Sequence, residues 1–380
     1  MKSEAAYKTL PFAAECLIFT ILYMNIKYFF PFDPAFISRT GIALIVSLAL
    51  SFISIRVTSF TFLAAAEFAI FYLIYDLFYA IARMLHFPDQ FVAFTLHGFI
   101  VPIFWIAYLS FGLYKACRIV TTRYQLKTEH TLPSDRLKIL QLSDTHPHKH
   151  RMRAELRRIR EITEREQPDM IVLTGDIFDE YTKPEAFHAY CEMFHEFSPK
   201  YGTWYVFGNH DTNWRWRLPR HTEEDIRRSF DAAGIRILED ECAEIKFDGG
   251  KFVIAGRRDA DVERMSAAEL LKNESGCYIV MLCHEPIELT ECAAAGADVT
   301  FAGHTHGGQI FPLGRFASSI LRMNELRAGI NELSPDYSEH YAITSSGVGT
   351  WGYPVRTEGK SEIVVAEITS SAKISAEKTK

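Results

Sequence analysis

The run LKILQLSDTH, Leu137–His146, sets the reading of this chain. Leu137–Leu142 is too short for a typical helix and carries apolar residues on both faces, as a strand buried within a sheet does. It stops at Ser143-Asp144-Thr145-His146, which offers a carboxylate and an imidazole. The same figure recurs four times. Met170–Leu173 leads to Gly175-Asp176-Ile177-Phe178-Asp179, and Trp204–Phe207 leads to Gly208-Asn209-His210-Asp211. Tyr278–Leu282 leads to Cys283-His284-Glu285-Pro286, and Val299–Ala302 leads to Gly303-His304-Thr305-His306-Gly307-Gly308. Loops at the carboxyl ends of strands are where open α/β sheets carry their sites. Taken singly, a Gly-Asp after a strand is a turn and a His-x-His is a structural pair. Five such clusters in order describe one site. Mixed nitrogen and oxygen donors with no cysteine at ligand spacing suit Mn, Fe, Zn or Co better than Ca or Mg alone.

Working outward, strand–loop–helix units come first and a succession of strands follows. Arg151–Glu166 has Met152, Leu156, Ile159 and Ile162 on one face of a helix. Its six arginines alternate with Glu155, Glu161, Glu164 and Glu166, the pattern of a solvated face. Glu223–Ala233 reads as a second helix, closed by Gly234. Further strands are expected at Ile235–Leu238, Glu244–Phe247, Phe252–Ala255, Tyr341–Thr344 and Ile363–Glu367. The pattern predicts an α/β domain with two sheets over residues 135–369. A polar linker over 125–134 precedes it, and a polar tail, 370–380, follows.

The first 124 residues are different. Four apolar stretches, about Leu10–Phe30, Phe36–Ile55, Val57–Ile81 and Phe91–Tyr114, approach the roughly 20 residues a spanning helix needs. They predict an N-terminal bundle of about four transmembrane helices, with Glu15, Glu67, Asp76 and His97 near its interfaces or paired inside it. The first 130 residues hold 10 Lys+Arg and 7 Asp+Glu, whereas the remaining 250 hold 31 and 40. An acidic rear half argues against nucleic acid as a partner. With four spans, Lys2, Lys8, Arg56, Lys115, Arg118, Arg123 and Lys127 share one side against Lys27, Arg39 and Arg83 on the other. That bias places the rear domain in the cytoplasm, at the cytoplasmic or inner membrane, with membrane lipids as neighbours. Cys191, Cys242, Cys277, Cys283 and Cys292 show no disulfide-scaffold spacing, which agrees with a reducing compartment.

The five clusters together resemble the signature of the calcineurin-like metallophosphoesterases. GHTHGGQIFP (Gly303–Pro312) and SSGVGTWGYPVR (Ser345–Arg356) are similar to the bacterial YkuE-type branch, which is often membrane-attached. The resemblance covers about Leu137 to Glu367. It implies a two-sheet sandwich and a pair of divalent cations, manganese first, with Fe, Zn or Co as alternatives. It implies that Asp144, His146 and His306 hold one cation, that Asn209, His284 and His304 hold the other, and that Asp176 bridges them. It also implies that His210 is the general acid, with Asp179 and Asp211 orienting imidazoles. The loop Pro147-His148-Lys149-His150 departs from the family's pattern and reads as exposed. Arg257, Arg258 and Arg356 are candidates for holding substrate phosphate, since a guanidinium pairs bidentately with such oxygens. The expected activity is hydrolysis of a phosphodiester, phosphomonoester or pyrophosphate. Membrane attachment favours a lipid-linked substrate such as UDP-2,3-diacylglucosamine, which a hydrolase within the resemblance cleaves. The competing expectation is a non-catalytic metal-binding sensor or scaffold. A transporter is a weaker alternative, given the few charges in the apolar front.

Overall fold

The computed structural model describes residues 101–148, 151–212, 221–311, 324–333 and 340–371, with isolated residues between 74 and 100 and at 314. The chain divides into two compact units, Met1–Phe111 with Gly352–Pro354, and Gly112–Trp351 with Val355–Lys380. The second unit carries all five clusters.

Among the described residues, its twelve strands form two six-stranded sheets. The first runs in the order β1 (Val120–Thr128), β12 (Glu362–Ser370), β2 (Arg136–Leu142), β3 (Met170–Thr174), β4 (Thr203–Val206) and β5 (Ile235–Ile237). The second runs in the order β10 (Gly329–Glu332), β11 (Tyr341–Thr344), β9 (Val299–Ala302), β8 (Tyr278–Leu282), β7 (Gly250–Gly256) and β6 (Glu241–Phe247). Strands β2 to β5 are mutually parallel, as are β7, β8, β9 and β11. The antiparallel pairs are β12 with β2, β6 with β7 and β10 with β11.

Apolar residues on both faces of the inner strands dictate the layers. Ile139, Met170, Val172, Trp204 and Val206 of the first sheet form one cluster with Phe252, Ile254, Val280, Leu282 and Phe301 of the second. The opposite face of the first sheet packs Leu140, Leu142, Ile171 and Leu173 under three helices. These are α2 (Met152–Glu166), α3 (Pro184–His195) and α5 (Glu223–Ala232), separated in sequence by the short α4 (Asn209–Thr212). Behind the second sheet lie α6 (Ala267–Leu270) and α7 (Leu289–Ala294), against Val253, Ala255, Ile279 and Met281. The result is helix, sheet, sheet, helix, the two-sheet α/β sandwich that the strand pattern predicts. Fully burying one such Leu, Ile or Phe contributes roughly 1.5–3 kcal/mol.

Local signals set the helix ends. In α2, Leu156, Ile159 and Ile162 recur every three residues and are buried. Its C-terminus closes at Gln167 (φ 47°), whose N–H donates to Thr163 O at 3.0 Å. For α5, Thr222 Oγ1 accepts from Asp225 N at 3.1 Å while the Asp225 carboxylate accepts from Thr222 N at 2.8 Å. This reciprocal cap satisfies two otherwise orphaned donors.

Two sequence expectations need correction. The stretch 125–134 is not a linker throughout. Its first four residues belong to β1, which pairs in parallel with β12 from Val120↔Glu362 to Thr128↔Ser370. Strand β12 also takes in Ser370, which the sequence pattern assigns to the polar tail. The second correction concerns the apolar front. Its first two stretches, nearly all of the third, and with them Glu15, Glu67, Asp76 and His97, lie outside the described residues. The fourth contributes helix α1, Ile100–Cys117. Among the described residues, no helix is long and apolar enough to cross a membrane. At 1.5 Å per residue the 18 residues of α1 reach roughly 27 Å, short of a hydrocarbon core of about 30 Å. Its last turn is also committed elsewhere. Gly112 O accepts from Arg356 N at 3.0 Å, and Ala116 is buried.

Candidate metal centre

The inner parallel strands β2, β3 and β4 of one sheet and β8 and β9 of the other end side by side. Gln141, on β2, ties the sheets there: its Nε2 donates to Thr174 Oγ1 and to Ala302 O, both at 2.8 Å. Gly303 N donates to His284 O at 2.8 Å, and His304 N donates to the Asp144 carboxylate at 3.0 Å. The loops therefore interlock, and space between them is short. A Cβ on Gly208 would strike the Asp176 carboxylate and backbone, and one on Gly303 would strike Ser143 and Asp144. Only glycine lets these backbones approach so closely.

Two donor groups result. Asp144, His146 and His306 form the first, and Asp176, His284 and His304 the second; in each, the ligand atoms lie within 4.8 Å of one another. Asn209 joins the second, with Oδ1 3.1 Å from His284 Nε2 and 3.0 Å from His304 Nδ1. Asp176 stands between the groups. Its Oδ2 is 3.2 Å from His284 Nε2 and 3.6 Å from His146 Nε2.

The chemistry of these atoms fits divalent cations. Asp179 Oδ2 can only accept, so the His146 Nδ1 that faces it at 3.2 Å carries the proton. His146 Nε2 is then turned toward Asp176, fully buried and without a hydrogen-bond partner among the described residues. Thr174 O likewise fixes the proton of His284 on Nδ1, at 2.8 Å, and turns Nε2 inward. Crowding acceptors at 3.0–3.3 Å in a buried site is costly unless a positive charge joins them. The titration of the donors divides: burial opposes protonation of His284 and His146, but Asp176 raises the first well above its ordinary value and Asp179 raises the second. Burial opposes ionisation of Asp176, but His284 and His210 hold its pKa well below the usual carboxylate range. Burial and the neighbouring His284 pull His304 down to about 3, and burial with His146 and Arg356 keeps His306 well below its ordinary value. Both rings are thus neutral, the state in which imidazole ligates.

The remaining residues sort by what they touch. His210 Nδ1 lies 3.1 Å from Glu180 Oε2, its N–H donates to Asp176 Oδ1 at 2.8 Å, and its ring lies 5.1 Å from that of Trp351. Burial works to lower the pKa of His210, but the Asp176 and Glu180 carboxylates prevail and raise it to about 9. Asp179 faces an imidazole, that of His146. Asp211 does not. Its carboxylate accepts from the backbone N–H of Asp176 (2.6 Å), Phe178 (2.9 Å) and Gly208 (2.9 Å), stapling two loops together.

The arginines depart from expectation. Arg356 is 0% exposed, and its guanidinium donates to the carbonyls of His306 (2.7 Å), Ser346 (2.5 Å), Gly347 (3.1 Å) and Gly349 (3.1 Å). Arg257 is 2% exposed, donates to Met265 O at 2.9 Å and pairs with Glu288 at 2.8 Å. Both clamp backbone from within rather than reaching for a substrate. Arg258 remains half-exposed and lies 3.8 Å from Glu239. His148 is exposed, and its carbonyl starts α2 by accepting from Arg151 and Met152; His150 lies outside the described residues. Sequence reasoning passed over Glu180 and Trp351. Glu180 directly follows Asp179, and Trp351 sits inside the quoted SSGVGTWGYPVR run, but neither position says which ring it meets.

Comparison with known proteins agrees with this geometry. The family model described as calcineurin-like phosphoesterase matches residues 137–308. A metallophosphoesterase of Aquifex aeolicus is 34% identical over 256 residues, covering 65% of this chain and 90% of that protein. The Bacillus subtilis metallophosphoesterase YkuE is 25% identical, covering 64% and 85%. A Danio rerio protein described as a transmembrane protein with metallophosphoesterase domain is 26% identical, covering 60% of this chain and 52% of its own length. The chain also spans 59% of a Campylobacter jejuni metallophosphoesterase to which it is 30% identical. Fold, donor groups and relatives converge: this chain belongs to the calcineurin-like phosphoesterase family and is a metal-dependent phosphoesterase.

Proposed function

We propose that the chain is a membrane-attached phosphohydrolase with a two-cation centre, manganese being the first cation to test and iron, zinc and cobalt the next. The observation that carries the reading is Asp176, whose Oδ2 stands within 3.6 Å of an imidazole nitrogen from each donor group. On this reading Asp144, His146 and His306 would hold one cation, Asn209, His284 and His304 would hold the other, and Asp176 would serve both. Two divalent cations so placed supply charge that neutralises phosphoryl oxygens and activates water.

The chain's own residues do the rest. Glu180 engages His210 Nδ1, which leaves Nε2 to present a proton to the departing oxygen. Trp351 lies against that ring and restricts its rotation. Asp179 fixes the His146 ring so that Nε2 faces Asp176. Asp211 holds the backbone under Asp176 and Asn209 in one geometry.

Attachment is read from the apolar stretches within residues 10–81, and the Danio rerio relative's description supports it. The side is read from Lys2, Lys8 and Arg56 together with the basic residues Lys115 to Lys127, which favour the cytoplasmic face. Attachment to a membrane favours substrates whose acyl chains stay in the bilayer, UDP-2,3-diacylglucosamine among them.

The test is turnover by the full chain in phospholipid vesicles, with a soluble diester and a lipid-linked pyrophosphate offered in turn. A preference for the lipid-linked ester is expected, and equal rates would remove that part of the reading. Full activity with one cation per chain would remove the two-cation centre. Protease protection in sealed vesicles of known orientation decides the side.

A further inference from the structure

Helix α1 ends at Cys117, and Val120 opens β1 only three residues later. Beside this junction runs α2. The two enclose an open pocket of about 760 Å³, walled by Arg118, Arg123, Arg157, Arg158 and Arg165, with Glu161 the one carboxylate in its lining. None of the metal-centre residues lines it.

The charges do not balance. Arg157 and Arg158 share Glu161, at 4.0 and 3.1 Å. Arg123 and Arg165 share Glu166. Among the described residues, the Arg118 side chain meets only the Tyr114 hydroxyl, at 3.2 Å, and the Tyr114 ring. Among the described residues, five guanidinium groups thus face two carboxylates. The even alternation along α2 does not survive folding, because Glu155 is buried against Tyr190 on the other side of the helix wall. Backbone and side-chain oxygens hold several of the arginines in place: Arg158 donates to Ile119 O at 3.4 Å and Arg165 to Thr121 Oγ1 at 2.9 Å. A concave wall of one sign focuses its field on whatever enters. Guanidinium donors in that setting match phosphate oxygens.

The approach to the pocket is apolar. The last turns of α1 expose Leu113 and Tyr114. An exposed apolar stripe that ends in tyrosine and then arginine is the profile of a segment lying where acyl chains give way to headgroups.

We propose that this pocket binds the phosphate headgroup of an anionic phospholipid, with the lipid's acyl chains against the apolar stripe of α1. The site is separate from the metal centre, and it fixes the domain against the headgroup layer. The proposal rests on the reading that the apolar front enters a bilayer and is independent of the catalytic reading.

The experiment uses the full chain purified in a neutral detergent and titrated with dioctanoyl phosphatidylglycerol, with dioctanoyl phosphatidylcholine as control. Saturable binding of the anionic lipid is expected, with little binding of the neutral one. Each arginine near an anionic surface contributes roughly five-fold, so Arg118→Ala with Arg157→Ala should weaken binding roughly 30-fold. The variant should still turn over bis(p-nitrophenyl) phosphate with Mn²⁺ at the parent rate, which shows that it is folded. Should the pair not fold, Arg118→Gln alone replaces it, since Arg118 has no carboxylate partner among the described residues, and a roughly five-fold loss is then expected. Equal lipid binding by parent and variant would overturn the proposal. So would displacement of the lipid by millimolar inorganic phosphate, which would make this a site for the free anion. Carbonate extraction of membranes tests the bilayer reading separately, because release from the membrane would sink that reading while the detergent titration still reports on the pocket.

Discussion

Replacing Arg356 with methionine separates two roles that the sequence could not tell apart. A substrate-binding arginine would be exposed, whereas this one is buried and donates to four carbonyls around the His306 turn and residues 346–349. Two of these carbonyls keep another donor, since Gln309 N reaches His306 O at 3.1 Å and Glu362 N reaches Gly347 O at 3.0 Å. The carbonyls of Ser346 and Gly349 lose theirs. A buried acceptor left without a partner costs roughly 1–3 kcal/mol, so the pair costs about 4 kcal/mol. For a domain of this size each kcal/mol moves the melting temperature by roughly 2–4 °C, which predicts a fall of roughly 8–16 °C. The His306 turn should loosen as well, and cation occupancy should fall with it. Differential scanning calorimetry and metal analysis on Arg356→Met read both effects. An unchanged melting temperature and full occupancy, together with a raised KM, would refute the clamp and restore the substrate role.

Asp176→Asn should abolish turnover and lower occupancy of both cations at once, because its carboxylate lies between the two donor groups; an active variant holding two ions per chain would contradict that placement. Glu180→Gln should lower kcat by roughly 10- to 100-fold, the worth of a hydrogen bond to a charged group, with both cations retained; an unchanged kcat would remove Glu180 from the His210 pair. His210→Ala sets the ceiling, a loss of roughly 10²–10⁴-fold that shrinks on esters with very good leaving groups. Chelation should lower the melting temperature of the domain, since ions held at roughly 100 times their Kd stabilise by about 2.7 kcal/mol each; an identical transition with and without chelator would argue that neither donor group binds a cation.

The strand ends were legible because each buried strand is a short apolar run cut off by polar donors, as Met170–Thr174 is before Asp176. What escaped had no such edge. Strand β1 is polar along most of its length and buries only Leu126 and Thr128 fully, so it reads as linker until β12 is seen beside it. Helix α3 did carry a signal in Ala186, Phe187, Tyr190, Met193 and Phe194, all on its buried face and preceded by Pro184 at the first turn. The arginines could not be read at all. An Arg near a signature loop looks the same in sequence whether its fork meets substrate or backbone, and burial decides. The carboxylate–imidazole pairing was open only in part: the resemblance implies an imidazole for Asp179, but not that it is His146, nor that its chain neighbour Glu180 holds His210.

Backbone conformation shows why the site is tied to this fold rather than to its loops alone. Asp144, His146, Asp176, His304 and His306 all have φ between 36° and 68°, the left-handed region that non-glycine residues avoid. Each such residue costs roughly 1 kcal/mol or more, so five cost about 5 kcal/mol or more, comparable with the net stability of a small domain. Such conformations persist only where neighbours over-determine them. Here the neighbours come from other strand ends. Asp144 N donates to Gly175 O at 3.1 Å, Asp176 N donates to the Asp211 carboxylate, and His304 N donates to Asp144. Arg356 reaches His306 O from the far side. None of these partners is local in sequence, so no single loop could hold its own ligand. The two sheets must close on each other first, through Gln141 and the shared core, before any of the five residues can be kept in its strained state. Five of the twelve non-glycine residues with positive φ among the described residues are donors of this one site, the mark of a backbone shaped for what it binds.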